Sequence, residues 1–458
     1  MSATHDVARF AATTSYASFP PEVRERAKHA IIDAIGTVAC GLNEPSVQHL
    51  RALAERETRA GQATVLGTPL RLAASGAALA NGSAAHALDY DSISLTVSGF
   101  IASPVLFALL AVAEEIGDVS GERLLEAFVT GWEAEAALAR GLGVHHYAKG
   151  WHSTATLGHF GAAIAVGRLL AFDTARMRYV IGVAASEASG LRTMIGNMAN
   201  PFHVGKAARN GVVAARLVES GFVAHPDVLD TAWGFCEVFN GPGHYDLQAM
   251  TAPLGSAYDL LDPGLVIKVY PCCGLIHSAL DGVLDLIERH GIAAAQVHAA
   301  TIAVHALVPR TMQFDHPTTG YEAKFSTPFC VATAFIERSV RLEHFTDARV
   351  RDPAVQAVMA KIRMVVHPAL HGADTFLQHE FTEVTLELVD GRVFTECVRR
   401  IANRGSRDRP VTLDELESKF LDCAAASGAE DAARDTFGRL VRLECIADIR
   451  EVTATLHR

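Results

Sequence analysis

Trp151-His152-Ser153-Thr154-Ala155, running on into Gly158-His159-Phe160-Gly161-Ala162-Ala163-Ile164-Ala165-Val166-Gly167, is the stretch on which the fold of this chain turns. It spells a helix with Gly or Ala at almost every helical spacing, so neighbouring helices can approach closely. It also sets an imidazole at the helix start, where free N–H groups and the positive end of the helix dipole favour a neutral base and attract an anion. Similar combinations recur at His86-Ala87-Leu88-Asp89-Tyr90-Asp91, Pro201-Phe202-His203-Val204-Gly205-Lys206-Ala207-Ala208 and Lys268-Val269-Tyr270-Pro271-Cys272-Cys273.

On the N-terminal side of this stretch, Pro20-Pro21 opens a segment with apolar residues at Val23, Ala27, Ala30, Ile31, Ala34, Ile35 and Val38, the spacing of an amphipathic helix. Further helices are predicted near 44–59, 71–88, 104–116, 121–140, 153–170, 174–189 and 204–220. The character changes after Asp262-Pro263-Gly264. The β-branched run Val266-Ile267-Lys268-Val269-Tyr270 precedes a helical stretch from Gly274 to His290, Thr301 to Leu307 alternates as a strand, and Glu322 to Arg338 reads as a helix. Val384, Leu386 and Leu388 alternate towards an Asp390-Gly391 turn, and Val393 to Cys397 return from it, the signature of a hairpin. Thr412-Leu413-Asp414-Glu415 is a capping box, and a last helix is expected over Ala432 to Cys445. The fold class expected is mainly α with an α+β insertion. A large helical domain takes residues 1–264 and 400–458, and a smaller α+β lid domain takes 265–399.

With 458 residues, two domains are the default. A net charge of −11 without a basic run beyond Arg399-Arg400 and their neighbours argues against nucleic acid as a partner. The eight cysteines show no CxxC spacing and suit a reduced compartment. The first residues lack a signal-peptide pattern, and the apolar run Gly99 to Ala113, interrupted by Ser103-Pro104, is too short to span a bilayer. A cytoplasmic protein without membrane partners is expected.

Walker A, GxGxxG, HExxH and GxSxG signatures are all missing from the sequence. His86, Asp89 and Asp91 could be metal ligands or hydrogen-bonded groups at a helix end; the second reading is preferred, and no metal is expected. His145-His146 read as exposed loop residues, and Cys272-Cys273 as buried thiols.

Taken together, His86 to Asp91, Trp151 to Gly161, His203 to Ala208, Lys268 to His277 with Asp281, and Thr319 to Ser326 resemble the MmgE/PrpD family, in the family's order and over most of the chain. That family includes 2-methylcitrate dehydratase, cis-aconitate decarboxylase and iminodisuccinate epimerase. The resemblance implies a helical domain formed from both chain ends, an inserted lid, a homodimer and a site between the domains. His152 matches the family's x-H-S-T histidine, Asp89 the first acid of its D-[FY]-D segment, and Lys268 the lysine before the aromatic-Pro pair; Cys273 stands where members carry histidine or cysteine. Two departures stand out. Thr96-Val97-Ser98-Gly99 replaces the usual His-Pro-Ser, and Asn200-Pro201-Phe202-His203 replaces Lys-Pro-Leu-His. They remove a proton-transfer group and a cation; Asn200 offers hydrogen bonds but neither charge nor proton.

The expected catalytic set is His152 as base or acid, Asp89, Lys268 and Cys273, with Asn200, His203, Lys206, His277 and Tyr321 as substrate contacts. Asp89 either orients His152 or another cation, or caps its own helix. Lys268 is either a carboxylate anchor or a surface strand residue, and Asp91 is structural. The expected activity is a cofactor-independent lyase removing water or CO2 from a small di- or tricarboxylate by general acid/base catalysis. The alternatives are an epimerase or isomerase moving a proton beside a carboxylate, and an inactive binding or scaffold protein.

Overall fold

The computed structural model describes residues 2–372, 380–428 and 430–456. The chain is mainly helical with a smaller α+β part. Helices Ala74–His86, Ala102–Ile116, Gly121–Lys149, Ser153–Leu169 and Ala199–Glu219 pack against one another, and small residues set their separation. A Cβ on Gly205 would sit 2.1 Å from Ser83 Oγ and 2.3 Å from the Leu79 carbonyl oxygen. One on Gly211 would sit 2.4 Å from Ala162 Cβ, and one on Gly161 2.2 Å from Glu135 Oε2. The helices therefore meet backbone to side chain, with no room for even a methyl group at these crossings.

The C-terminal segment returns to this bundle. Thr412 and Glu415 form the predicted reciprocal cap on helix Leu413–Ala425, which packs along helix Pro21–Gly41. Thr453 Oγ1 donates to Glu114 Oε1 at 2.6 Å. One hydrophobic core thus gathers side chains from Ala3 to Ile267 and again from Val411 to Val452. A second core takes its side chains from Tyr270 to Leu388 together with Tyr147 and Ile195, and Val269 packs against both.

Around that second core runs a four-stranded sheet in the order Ile362–Val366, Val297–Val304, Phe381–Leu388, Val393–Arg399. The first pair is parallel and the others antiparallel, with Ile302 opposite Val384 and Val384 opposite Glu396. The Asp390-Gly391 hairpin is present, and Gly391 takes φ 86°, a conformation glycine adopts without a Cβ clash. Val384, Leu386 and Leu388 face inward, where helix His277–His290 covers the sheet.

Three sequence expectations change. The run Val266 to Tyr270 is strand only at Leu265–Val266, which pairs with Ile93–Ser94. Beyond it Lys268 turns inward and its carbonyl accepts from Lys419 Nζ at 2.9 Å, so side chains replace a strand partner. Glu322 to Arg338 is two helices, Gly320–Ala323 and Thr327–Glu337. Ser326 caps the second by accepting from Phe329 N, and Pro328 in its first turn has no N–H to continue the first. His145 and His146 lie in the last turns of helix Gly121–Lys149, past a break at Gly143 with φ 62°. His146 is buried, with Nδ1 2.9 Å from Asn240 Oδ1 and Nε2 2.7 Å from Thr156 Oγ1. Among the described residues no helix is long and apolar enough to cross a membrane.

Replacing Gly205 with Ala forces the Ala74–His86 and Ala199–Glu219 helices apart and should lower stability by about 2 kcal/mol. Gly438→Ala, where a Cβ meets nothing within 4 Å, should leave stability equal or slightly higher. Urea denaturation of the two variants beside the unaltered chain checks both.

Candidate active site

Where the two cores meet there is a cavity with about 500 Å3 of empty space, part of it open to solvent. His152, Asp89, Asn200 and the loop Ser98 to Phe100 line it from the helical side, and Cys273 to Leu275, Thr311, Phe325 and Arg400 from the other. Four residues singled out in the sequence therefore face one space: His152, Asp89, Asn200 and Cys273.

His152 is the residue preceding helix Ser153–Leu169, as its position in the sequence predicts. Its N–H donates to the Gly190 carbonyl at 3.1 Å, and its carbonyl accepts from Ala155 N at 2.8 Å. The ring is buried, and its Nδ1 lies 2.9 Å from Nδ1 of His203 on helix Ala199–Glu219. One of these nitrogens carries the proton and the other accepts it, so the tautomers of the two rings are linked. Burial, then the neighbouring imidazoles and cations, holds His152 well below the ordinary histidine value. The same burial takes His203 to about 4. Both rings are neutral at neutral pH. Gly99 lets the 98–100 loop reach the helix start: Phe100 N donates to Thr154 Oγ1 at 2.9 Å, and a Cβ on Gly99 would lie 2.5 Å from that oxygen.

Asp89 serves Lys268 and not His152. Lys268 Nζ donates to Asp89 Oδ1 at 2.7 Å and to the Asp89 carbonyl at 2.8 Å, and lies 4.8 Å over the Phe100 ring. This arrangement uses an Asp89 backbone in the left-handed region, φ 52°, one of the few residue types that tolerates it. Burial acts to lower the Lys268 ammonium, and the carboxylates of Asp89 and Asp91 outweigh it, so its value is raised. Lys268 is thus no surface strand residue but a fully buried, paired cation. Asp89 Oδ2 is buried without a hydrogen-bond partner, as is Asn200 Oδ1. Asp91 is structural, accepting from His86 Nδ1 at 2.9 Å and Ser103 Oγ at 2.8 Å. Burial pushes the Cys273 thiol up to about 12, which keeps its proton on.

His86, Asp89 and Asp91 bring ligand atoms within 4.8 Å of one another, the spacing a cation needs. The Lys268 ammonium already supplies positive charge to Asp89, and Asp91 has both oxygens occupied.

The remaining candidates stand back from the cavity lining. His203 is not among the described lining residues and contacts His152, which is. Lys206, a turn further along the same helix, donates to the carbonyl and hydroxyl of Ser189, each at 2.7 Å, and burial lowers it to about 8. His277 is buried with Nε2 3.3 Å from the Cys272 carbonyl, and half-buried Tyr321 donates to the Asn197 carbonyl at 3.4 Å. Sequence reasoning passed over Arg400, which lines the cavity and pairs with buried Glu380 at 2.7 Å. Extending the hairpin register by one step, from Phe381 opposite Arg399 to Glu380 opposite Arg400, is the signal that would have found it.

Sequence profiles of the MmgE/PrpD N-terminal domain and the MmgE/PrpD C-terminal domain match residues 5–248 and 270–440. The chain belongs to the MmgE/PrpD family. Its similarity to individual MmgE/PrpD proteins runs nearly end to end. It is 25% identical to a cis-aconitate decarboxylase of Aspergillus terreus, over 99% of this chain and 96% of that protein. It is 25% identical to the cis-aconitate decarboxylase of Homo sapiens, over 95% and 90%, and 26% identical to the cis-aconitate decarboxylase-like protein oryM of Aspergillus oryzae, over 95% and 93%.

The buried imidazoles of this MmgE/PrpD chain give its stability a defined pH dependence. His146 and His203 sit at about 4, His159 and His277 at about 3, all from burial. The unfolded chain binds protons at an ordinary value of about 6.5, so it takes them up first as pH falls. The contribution of these imidazoles should be complete above that value and fall between pH 6.5 and 4, with proton uptake by them on unfolding. Glu133 and Glu187, raised by burial to about 8 and about 7, act in the opposite sense, so the difference between the chain and its histidine variant isolates the imidazole part. Denaturant titrations across this range, compared with His146→Gln, check the sign and the slope.

Proposed function

We propose that this chain is a lyase that removes water or CO2 from a small carboxylate, with His152 as the proton-transfer group. The observation that carries the reading is a neutral imidazole facing the cavity with its Nδ1 tied to a second neutral imidazole. Similarity over nearly the whole chain to proteins named cis-aconitate decarboxylases supports the reaction class.

With its Nδ1 proton donated to His203, His152 presents an unprotonated Nε2 to substrate. In dehydration that nitrogen takes the proton from the carbon beside the carboxylate, the electron pair forms the double bond, and the hydroxyl leaves as water with a returned proton. In decarboxylation the C–C bond breaks, CO2 leaves, and the electron pair left behind takes a proton from the Cys273 thiol, which water then restores; only in dehydration does His152 become imidazolium. His203 stabilises that imidazolium by accepting its Nδ1 proton. Cys273, protonated at neutral pH, is a second proton donor on the opposite wall. Lys268 acts through Asp89, fixing its carboxylate. The segment carrying Cys273, Phe325 and Arg400 closes one side of the cavity, which supports its reading as a lid. The high thiol value weighs against an epimerase, in which groups on both faces must serve as base in turn.

Proton NMR in D2O with hydroxy and unsaturated carboxylates tests the reading. Loss of water or CO2 is expected, and deuterium uptake without net conversion would overturn it in favour of epimerisation. His152→Ala should lower kcat/KM by about 100-fold or more with the fold intact. Full turnover by that variant would refute the assignment. The acid limb of kcat/KM should lie below the ordinary histidine value of 6.5, because His152 must first be protonated to lose its function.

A further inference from the structure

We infer that the cavity selects a monocarboxylate bearing a hydroxyl group over a di- or tricarboxylate. This rests on the lyase reading for the chemistry that follows binding. The order of binding itself rests on the balance of charge and hydrogen-bonding groups in the walls.

Arg400 is the one lysine or arginine side chain among the described residues that line the cavity, and Glu380 Oε2 accepts from it at 2.7 Å. Asp89 is the one carboxylate among the described lining residues, and Lys268 lies 2.7 Å from it. Each charge at the wall therefore already faces its opposite, and the imidazole and thiol beside them are uncharged. Lys206 is occupied with Ser189, and Lys324 points its ammonium at the Pro271 carbonyl, 4.3 Å over the Phe345 ring. A guanidinium presents five donors in a plane, so Arg400 can face one substrate carboxylate while holding Glu380. A second or third carboxylate would lose its water against Ile93, Phe100, Ile195, Leu275 or Phe325 with no further lysine or arginine among the described lining residues to receive it; Arg192, 4.5 Å over the Tyr147 ring, donates to the Tyr147 carbonyl at 3.0 Å.

The unpartnered atoms point the same way. Asp89 Oδ2 and Asn200 Oδ1 are buried acceptors without donors, and both residues line the cavity. Acceptors left bare in a wall are satisfied by a ligand that brings O–H groups, and they repel one that brings further carboxylate oxygens. Asp89 weighs most here, since a carboxylate has no donor to offer in any orientation.

Isothermal titration of the full chain with 3-hydroxybutyrate, butyrate, malate and citrate at one pH and salt concentration tests this. 3-Hydroxybutyrate should bind at least about tenfold more tightly than citrate, and about tenfold more tightly than butyrate, which lacks the hydroxyl. Asn200→Lys, which adds a cation to the wall, should narrow or reverse the preference over malate and citrate. Malate or citrate binding as tightly as 3-hydroxybutyrate to the unaltered chain would overturn the inference, as would no binding by any of the four. NMR on the same samples separates the two readings. Hydroxyl-dependent binding of 3-hydroxybutyrate with neither exchange nor elimination across the wider panel would sink the lyase and leave the selectivity standing. Efficient turnover of citrate, with citrate the tightest ligand, would sink the selectivity and leave the lyase.

Discussion

Two buried ammonium groups hold the chain together at the point where its two cores meet. Lys268 is bound to Asp89, and Lys419, from the C-terminal helix Leu413–Ala425, donates to Asp33 Oδ1 at 2.6 Å, to the Tyr90 carbonyl at 2.7 Å and to the Lys268 carbonyl at 2.9 Å. Asp33 in turn accepts from Ser92 N at 2.7 Å. Segments near residues 33, 90, 268 and 419 are thereby fixed to one another. Removing one member of such a pair leaves a desolvated charge behind, which costs about 3–5 kcal/mol. The cavity wall that carries Asp89 inherits its rigidity from this arrangement.

The same burial that makes those pairs costly to break sets the chemistry of the site. An imidazole in water is half protonated near neutral pH; His152 and His203, enclosed and 2.9 Å apart at Nδ1, are held neutral and share one hydrogen bond. A base kept free of its proton is ready to act, and it is also a group the folded state loses stability by protonating. Function and acid lability have one cause here. The wall residues follow suit, with a thiol that keeps its proton and acceptors that have no donors of their own.

Local features of the structure were legible in the sequence, because they depend on residues a few positions apart. The Gly and Ala spacing from Gly158 to Gly167, the Thr412 to Glu415 cap, the Asp390-Gly391 turn and the place of His152 before a helix are all of this kind. The misreadings involve distant partners. Lys268 sits in an apolar, β-branched run that reads as strand, and only Asp89, 179 residues away, explains why it turns inward. His146 reads as a loop residue until Asn240 and Thr156 close round it. Arg400 looks like half of a surface basic pair until the hairpin register brings Glu380 beside it. Tyr321 and His277, singled out by resemblance, are not among the described lining residues; the Tyr321 hydroxyl meets the Asn197 carbonyl and the side chain of Asn200, and His277 Nε2 lies 3.3 Å from the Cys272 carbonyl.

The helical core contains both ends of the chain, with Lys28 donating to the Val441 carbonyl at 3.0 Å and Thr453 to Glu114. A polypeptide made from its N-terminus cannot complete that core until residues Val411 to Val452 have left the ribosome. The sheet segments from Val297 to Arg399 emerge earlier and draw on closer neighbours. The face of helix Pro21–Gly41 that helix Leu413–Ala425 covers therefore has no such cover until residues 413–425 are made, which sets that contact late in assembly.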